Sequence, residues 1–298
     1  MRDGLPELKK ITLSSLYKFY RMKKAFISVN YLQIAYYIHN PDQDNTIFFI
    51  HGNSSSSGNW RKQVLSNALA GYRLITIDLP NHGNSDAIEA DGDFSLPAIA
   101  KIIGAAIKQL INNHPYIICS ISLGTNIVAE MLAEDFSPRG LLLAGPCIIG
   151  EGCGMNKMLL EGADVTAVFS ENLTEDTVEK YALTISNSGA QNDLEVFLKD
   201  YYAVKGNFRS SLYDTIALGN YNDEIAIIQK LNVPVCVIFG KEERVVNTSY
   251  LDTASINIWN NTIYKIKGAS HFVNIDAPKP FNELLVKFAK YIFTKNVA

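Results

Sequence analysis

Charge is scarce along this chain and close to balanced. Only 19% of its 298 residues are charged, and 27 Lys and Arg against 30 Asp and Glu leave a net charge of −3. Disorder requires low hydrophobicity with high charge, so a chain that is 47% hydrophobic is expected to fold. The same balance argues against broad nucleic-acid binding. Cysteine is also scarce. Cys119, Cys147, Cys153 and Cys236 form no C-x-x-C pair and have no His at metal spacing, so no zinc or other metal is expected. Four scattered cysteines fit a reducing compartment, and the expected location is cytoplasmic. The basic N-terminus lacks the apolar run of about 7–15 residues that a signal peptide needs. One uncharged stretch, 109–129, is long enough to span a bilayer. It carries Asn112, Asn113, His114, Pro115, Ser120, Ser122, Thr125 and Asn126, whose polar groups lipid would leave poorly satisfied. It reads instead as a buried strand, a turn and a helix start, with no membrane partner.

The mild net charge hides an uneven distribution. Residues 1–24 hold seven bases against Asp3 and Glu7, or +5, which leaves −8 for the remainder. This basic N-terminal extension is expected either to dock on the body or to mediate assembly into a homo-oligomer. Residues 24–40 alternate and are rich in Ile, Val, Tyr and Phe, which predicts a two-stranded hairpin. Strand-like runs follow at Thr46–Ile50, Tyr72–Asp78, Tyr116–Ser120, Gly140–Ala144, Val235–Phe239 and Thr262–Ile266. Helical stretches fall near 60–70, 95–112, 123–134, 247–256 and 280–293. In the last, Phe281, Leu284, Leu285 and Phe288 share one face. Strands alternating with helices imply crossovers and a mostly parallel sheet, with the hairpin antiparallel at one edge.

Residues 148–231 break the rhythm. Val178, Tyr181, Ala182 and Ile185 share a helical face, as do Leu194, Phe197, Leu198 and Tyr201, and strand signal is weak. Thirteen acids against six bases give this segment −7. It is expected to be a helical cap, inserted into a core of 25–147 and 232–298, over the carboxyl edge of the sheet where α/β proteins bind ligands.

The chemistry centres on Ser120-Ile121-Ser122-Leu123-Gly124, between an apolar strand and a helix start. A sharp strand-to-helix turn tolerates only small residues two before and two after its nucleophile. Ser120 and Gly124 satisfy that rule around Ser122, whereas a Ser120 nucleophile would have bulky Ile118 two before it. The bland alternative for Ser122 is a helix N-cap. A loop at His51-Gly52-Asn53-Ser54 follows another strand and can aim the Asn53 N–H, with that of Leu123, at a developing oxyanion. His51 itself reads as structural. Later, Phe239-Gly240-Lys241-Glu242-Glu243-Arg244 and Gly268-Ala269-Ser270-His271-Phe272 each follow a strand. Nucleophile, acid, then histidine is the chain order of an α/β-hydrolase triad. The acid is Glu242 or Glu243. Glu243, three residues beyond Gly240, is preferred and Glu242 is expected to be solvated.

From about residue 25 onward the chain resembles the α/β-hydrolase superfamily. Asp78-Leu79-Pro80-Asn81-His82-Gly83-Asn84-Ser85 is similar to its D-L-P-G-H-G-x-S loop, whose role is mainly structural. The resemblance implies an eight-stranded, mostly parallel sheet flanked by helices. A closer resemblance is to the N-acyl-homoserine lactonases of the superfamily. It is carried by His51–Ser56, by the loop ending Ser85-Asp86-Ala87-Ile88, and by Arg139-Gly140-Leu141. In the cap, Phe169-Ser170-Glu171 and Val178–Ala182 carry it too. That resemblance implies a Glu as triad acid and lactone contacts from Asn53 and Tyr181, although Tyr181 also fits a packed cap stripe. Ser120 stands where the elbow usually has Gly, Asn81 where the loop has Gly, and Ile121 where an aromatic often borders the nucleophile, so Ile121 is expected to border the acyl pocket.

The expected activity is serine hydrolysis of a small uncharged ester or lactone through an acyl-enzyme, without cofactor. Ser122 is the nucleophile, His271 the base and Glu243 the orienting acid. The acidic cap disfavours anionic substrates such as acyl-CoA. The lactone is the first candidate substrate; carboxylesterase or C–C bond hydrolase activity is the alternative, and a receptor-like hydrolase homologue that mainly binds ligand is a third.

Overall fold

The computed structural model describes residues 24–294 apart from Asn112 and Asp135. The basic extension therefore lies outside the described residues, except for Lys24. Strands β1 (Ala25–Val29), β2 (Leu32–His39), β3 (Thr46–Ile50), β4 (Arg73–Ile77), β5 (Tyr116–Ser122), β6 (Leu141–Pro146), β7 (Val235–Gly240) and β8 (Ile258–Ile266) form one sheet. Their order is β1-β2-β4-β3-β5-β6-β7-β8. The β1–β2 and β2–β4 pairs are antiparallel and all others parallel. Strand chemistry explains the order. The TIFFI of β3 and the RLITI of β4 are buried at every position, as strands covered on both faces must be. β1 alternates exposed and sheltered residues and takes an edge.

The flanking helices are α1 (Arg61–Val64), α2 (Leu96–Leu110), α3 (Leu123–Met131), α10 (Val273–Asp276) and α11 (Pro278–Thr294). Ser95 caps α2 by accepting the Ala98 N–H at 3.3 Å, and Ile99, Ile103, Ile107 and Leu110 form its buried stripe. On α11 the apolar face buries Phe281, Leu285, Phe288 and Ile292. Between β6 and β7 lie α4 (Met155–Met158), α5 (Thr166–Phe169), α6 (Glu175–Ile185), α7 (Gln191–Tyr202), α8 (Phe208–Ala217) and α9 (Glu224–Gln229). Helix α6 packs on α7 and α5 on α8, whereas α9 packs on α3 of the core.

Two expected helices are not continuous. The 60–70 stretch divides into a 3-10 turn at Ser57–Trp60, α1, and a second 3-10 turn at Asn67–Leu69. Ser66 restarts the chain there, its hydroxyl accepting the Ala68 N–H at 3.3 Å. At 247–256 the backbone forms successive turns, Tyr250 to Asn247, Asp252 to Ser249 and Ala254 to Leu251. The Asn247 side chain captures the Ser249 N–H at 3.1 Å, the local competition that keeps Asn, Ser, Asp and Thr out of helices.

Candidate active site

β5 ends at Ser122 and α3 begins at Leu123, so the chain turns from strand to helix at one residue. Ser122 has φ 53° and ψ −129°, a conformation that costs an L-residue about 1–3 kcal/mol. Close approach of neighbouring backbone enforces the turn. A Cβ on Gly124 would stand 2.6 Å from the carbonyl oxygens of Ile50 and His51. One on Gly52 would stand 2.9 Å from Ser122 Cβ. The end of β3 and the elbow of β5 therefore touch through two glycines. Ser120 fits at the remaining small position, fully buried. Leu123 opens α3, so its N–H has no intrahelical acceptor.

Glu243 and His271, the candidate acid and base, come from the turns after β7 and β8. Glu243 Oε2 accepts the His271 Nδ1–H at 3.0 Å, and both side chains are buried, at 1% and 2% exposure. Glu243 Oε1 accepts the backbone N–H groups of Arg244 at 3.0 Å, Val245 at 2.9 Å and Val246 at 3.3 Å. Burial would push this carboxyl up, but His271 and the N–H groups outweigh it and hold it below the usual carboxylate range. Burial likewise opposes charge on His271. The Glu243 carboxylate and the Cys147 sulphur overcome it and raise the imidazole above its ordinary value. Glu242 is exposed, yet it is more than solvated. Its Oε2 accepts the N–H groups of Gly268 at 2.8 Å and Ala269 at 3.0 Å, anchoring the turn that carries His271.

Ser122, Leu123, Asn53, Tyr181 and His271 line one cavity beneath the inserted helices. Met155, Met158, Leu159, Val165, Phe169 and Leu212 supply an apolar wall. Asn53 Nδ2 donates to the Val168 carbonyl at 2.7 Å, tying the loop after β3 to the insertion. Tyr181 is half-buried in the same stripe as buried Val178 and Ile185, and it also reaches the cavity. Burial pushes its phenol far up, with Cys147 and Glu243 adding to the effect. Ile121 departs from expectation. It is fully buried in the hydrophobic core and not on the cavity wall, because alternate residues of a strand face opposite ways and Ser122 takes the open side.

One residue in this cavity was passed over in the sequence. Cys147 follows β6 at the carboxyl edge of the sheet, and its Sγ lies 3.8 Å from Ser122 Oγ and against His271. Its position one residue past a parallel strand was the available signal; a search for C-x-x-C spacing could not find it.

His51 and His82 have framework positions. His51 Nε2 accepts the Leu79 N–H at 3.0 Å and its Nδ1 meets the Gly52 carbonyl at 2.8 Å. His82 Nε2 accepts the Ser54 N–H at 3.1 Å. Asp78 accepts the N–H groups of Ser57 at 2.7 Å and Asn84 at 2.9 Å. Burial holds both imidazoles below their ordinary value, in keeping with neutral, hydrogen-bonded rings. Among the described residues, no group of three or more His, Cys, Asp or Glu could hold a metal ion. No helix among them is long and apolar enough to cross a membrane.

Residues 45–142 match the family described as alpha/beta hydrolase fold. Among curated proteins, the chain is 22% identical to a non-heme chloroperoxidase of Burkholderia pyrrocinia, over 80% of this chain and 90% of that protein. It is 23% identical to a 2-hydroxy-6-oxononadienedioate/2-hydroxy-6-oxononatrienedioate hydrolase of Burkholderia vietnamiensis, over 83% and 88%. Among solved structures, a variant of the N-acyl homoserine lactonase AidH complexed with N-hexanoyl homoserine lactone superposes with TM-score 0.82 and 23% identity. The match covers 91% of this chain and 98% of that one. A putative aryl esterase from Burkholderia cenocepacia gives TM-score 0.76 at 18% identity, covering 91% and 100%. With the sheet order, the elbow and these likenesses together, the chain has the α/β-hydrolase fold.

Proposed function

We propose that this chain is a serine hydrolase that opens N-acyl-homoserine lactones or cleaves similarly small, uncharged esters. The observation that carries the reading is the buried His271–Glu243 pair at 3.0 Å, facing a cavity that also holds Ser122 on its strained elbow. Ser122 Oγ attacks the carbonyl carbon while His271 Nε2 takes its proton. Glu243 fixes the tautomer by accepting the Nδ1–H and stabilises the imidazolium. The N–H groups of Asn53 and Leu123 receive the oxyanion, a contribution of about 3–4 kcal/mol per donor. His271 then returns the proton to the leaving alkoxide, which in a lactone stays tethered to the acyl group. Water, deprotonated by the same imidazole, releases the product from Ser122. Asn53 and Tyr181 contact the substrate, and residues 148–231 act as the cap that closes the apolar wall over it.

The apolar lining supports an uncharged acyl chain. The lactone reading rests on the motifs at 51–56, 78–88, 169–171 and 178–182, on Glu as the acid, and on the lactone bound by the structural relative. The test compares acyl-homoserine lactones of several chain lengths with p-nitrophenyl esters, using native protein and Ser122→Ala. Ser122→Ala should lower kcat by at least about 10³-fold on either substrate. Ester turnover without ring opening would remove the lactone from the reading. Full activity in Ser122→Ala would remove the nucleophile.

A further inference from the structure

The backbone of Cys147 is fixed on both sides by the helix that begins after Ser122. Its backbone N–H donates to Thr125 Oγ1 at 2.9 Å, and that hydroxyl in turn donates to the Ser122 carbonyl at 2.6 Å. Its carbonyl accepts from Asn126 Nδ2 at 2.7 Å, and the same amide also donates to Glu224 Oε2 at 2.7 Å. Thr125 and Asn126 belong to the first turn of α3, so the helix that aims Ser122 also aims Cys147. The Gly145 carbonyl, 3.5 Å from the sulphur, can take the thiol proton, which leaves the sulphur able to accept on the side of the site. There they meet Ser122 Oγ at 3.8 Å and His271. Nδ1 of His271 is engaged by Glu243, which leaves Nε2 as the ring nitrogen open to a second partner.

We propose that Cys147 is a positioning residue of this site: its sulphur accepts hydrogen bonds from the Ser122 hydroxyl and from Nε2–H of protonated His271, and holds the pair in a resting arrangement. The inference rests on the serine-hydrolase reading above. The base becomes available when the Nε2 proton leaves to solvent. The Ser122 hydroxyl then turns from sulphur to the freed nitrogen lone pair, and the thiol keeps its own proton on Gly145. No bond to sulphur forms or breaks.

The direction of the effect follows from the groups around the ring. Glu243 and Cys147 both favour the charged imidazole, and burial opposes it. Tyr181, on α6, faces Cys147 and Glu243, and burial raises its phenol. Tyr250 donates to the Pro146 carbonyl at 3.1 Å and is raised in the same way. Asp276, on α10, is turned to the Ser270 N–H at 2.8 Å, and Glu242 to Gly268 and Ala269. Replacing Cys147 removes one of the two groups that retain the proton.

The experiment is the pH profile of kcat/KM for p-nitrophenyl butyrate, with native protein, Cys147→Ala, Cys147→Val and Cys147→Ser. In the Ala and Val variants the acidic limb should move down by about one pH unit, so activity at the acidic end rises several-fold. Cys147→Ser, whose oxygen accepts the same bonds, should keep its limb near the native one. A residue with only a packing role would lower activity at every pH and leave the limb in place. Valine fills the volume without accepting hydrogen bonds, so it decides the matter if the alanine variant does not fold. Native and valine limbs that coincide overturn the inference alone. A native protein that neither turns over ester nor is labelled at Ser122 by a fluorophosphonate overturns the hydrolase reading, and this inference with it.

Discussion

At the scale of single residues, Glu242 and Glu243 are adjacent and chemically identical, yet they point to different work. Glu243 spends one oxygen on His271 and the other on three backbone N–H groups. Glu242 spends an oxygen on the turn that carries the histidine. Glu243→Gln presents an amide that can donate to Nδ1 and select the wrong tautomer, so kcat should fall roughly 10³- to 10⁴-fold. Glu242→Gln keeps an acceptor oxygen and should lose far less. Steady-state kinetics on one ester checks both, and equal losses would undo the assignment. Motif position alone favoured Glu243. The direction of each side chain was beyond the sequence, because neighbours in a turn need not alternate as they do in a strand. Ile121 is the opposite case: strand alternation does set its direction, and it points into the core.

At the scale of elements, α6 ends at a partition. Ile185 and Phe272 line both the cavity with Ser122 and a second one of about 160 Å³ under α6 and α7, and the Phe272 N–H donates to the Ile185 carbonyl at 2.8 Å. Ile185→Ala opens that wall while leaving the backbone bond. The expected outcome is a higher ratio of kcat/KM for p-nitrophenyl octanoate over butyrate, at a stability cost of about 2–5 kcal/mol. An unchanged ratio in a folded variant would show that the second cavity is not an extension of the first. The stripe of Val178, Tyr181, Ala182 and Ile185 was legible as a helix face. That its end divides two cavities was not, since Phe272 arrives from a turn 87 residues later.

At the scale of the whole molecule, polar contacts tie the inserted helices to the core. Asp193 of α7 pairs with Arg61 and with Lys62, the latter at 2.6 Å. Arg209 of α8 donates to Ser54 Oγ at 2.9 Å, and Asp276 of α10 accepts the Asn187 N–H at 2.9 Å. Asp200 of α7 accepts from Ser56 Oγ at 2.7 Å. Burial pushes the Asp200 carboxyl up to about 7, with the Asp78 charge adding to it and the Ser56 bond opposing. A carboxyl raised in the folded state binds its proton there more tightly than in the unfolded chain. Its contribution to stability is full below the ordinary aspartate value of 3.8 and is lost as pH rises to about 7. Asp200→Asn stays neutral and escapes this loss. The Tm of the variant relative to native protein should therefore climb through that window and level off above it. A Tm difference that is flat across the window would count against the buried, raised carboxyl.

The sequence by itself determined the architecture: short runs rich in β-branched and aromatic residues, such as TIFFI and RLITI, alternate with helical stretches as strands of a parallel sheet do, and the small residues around Ser122 permit a tight elbow. It also placed the candidate nucleophile, acid and histidine in order, because each lies at or just past the end of a strand and parallel strands bring their carboxyl ends to one edge. The tertiary structure alone decided which glutamate meets the histidine and that Cys147 comes to stand beside Ser122. These are matters of direction and of contact between distant segments. Local pattern says where a residue lies along the chain, and only packing says what its side chain meets.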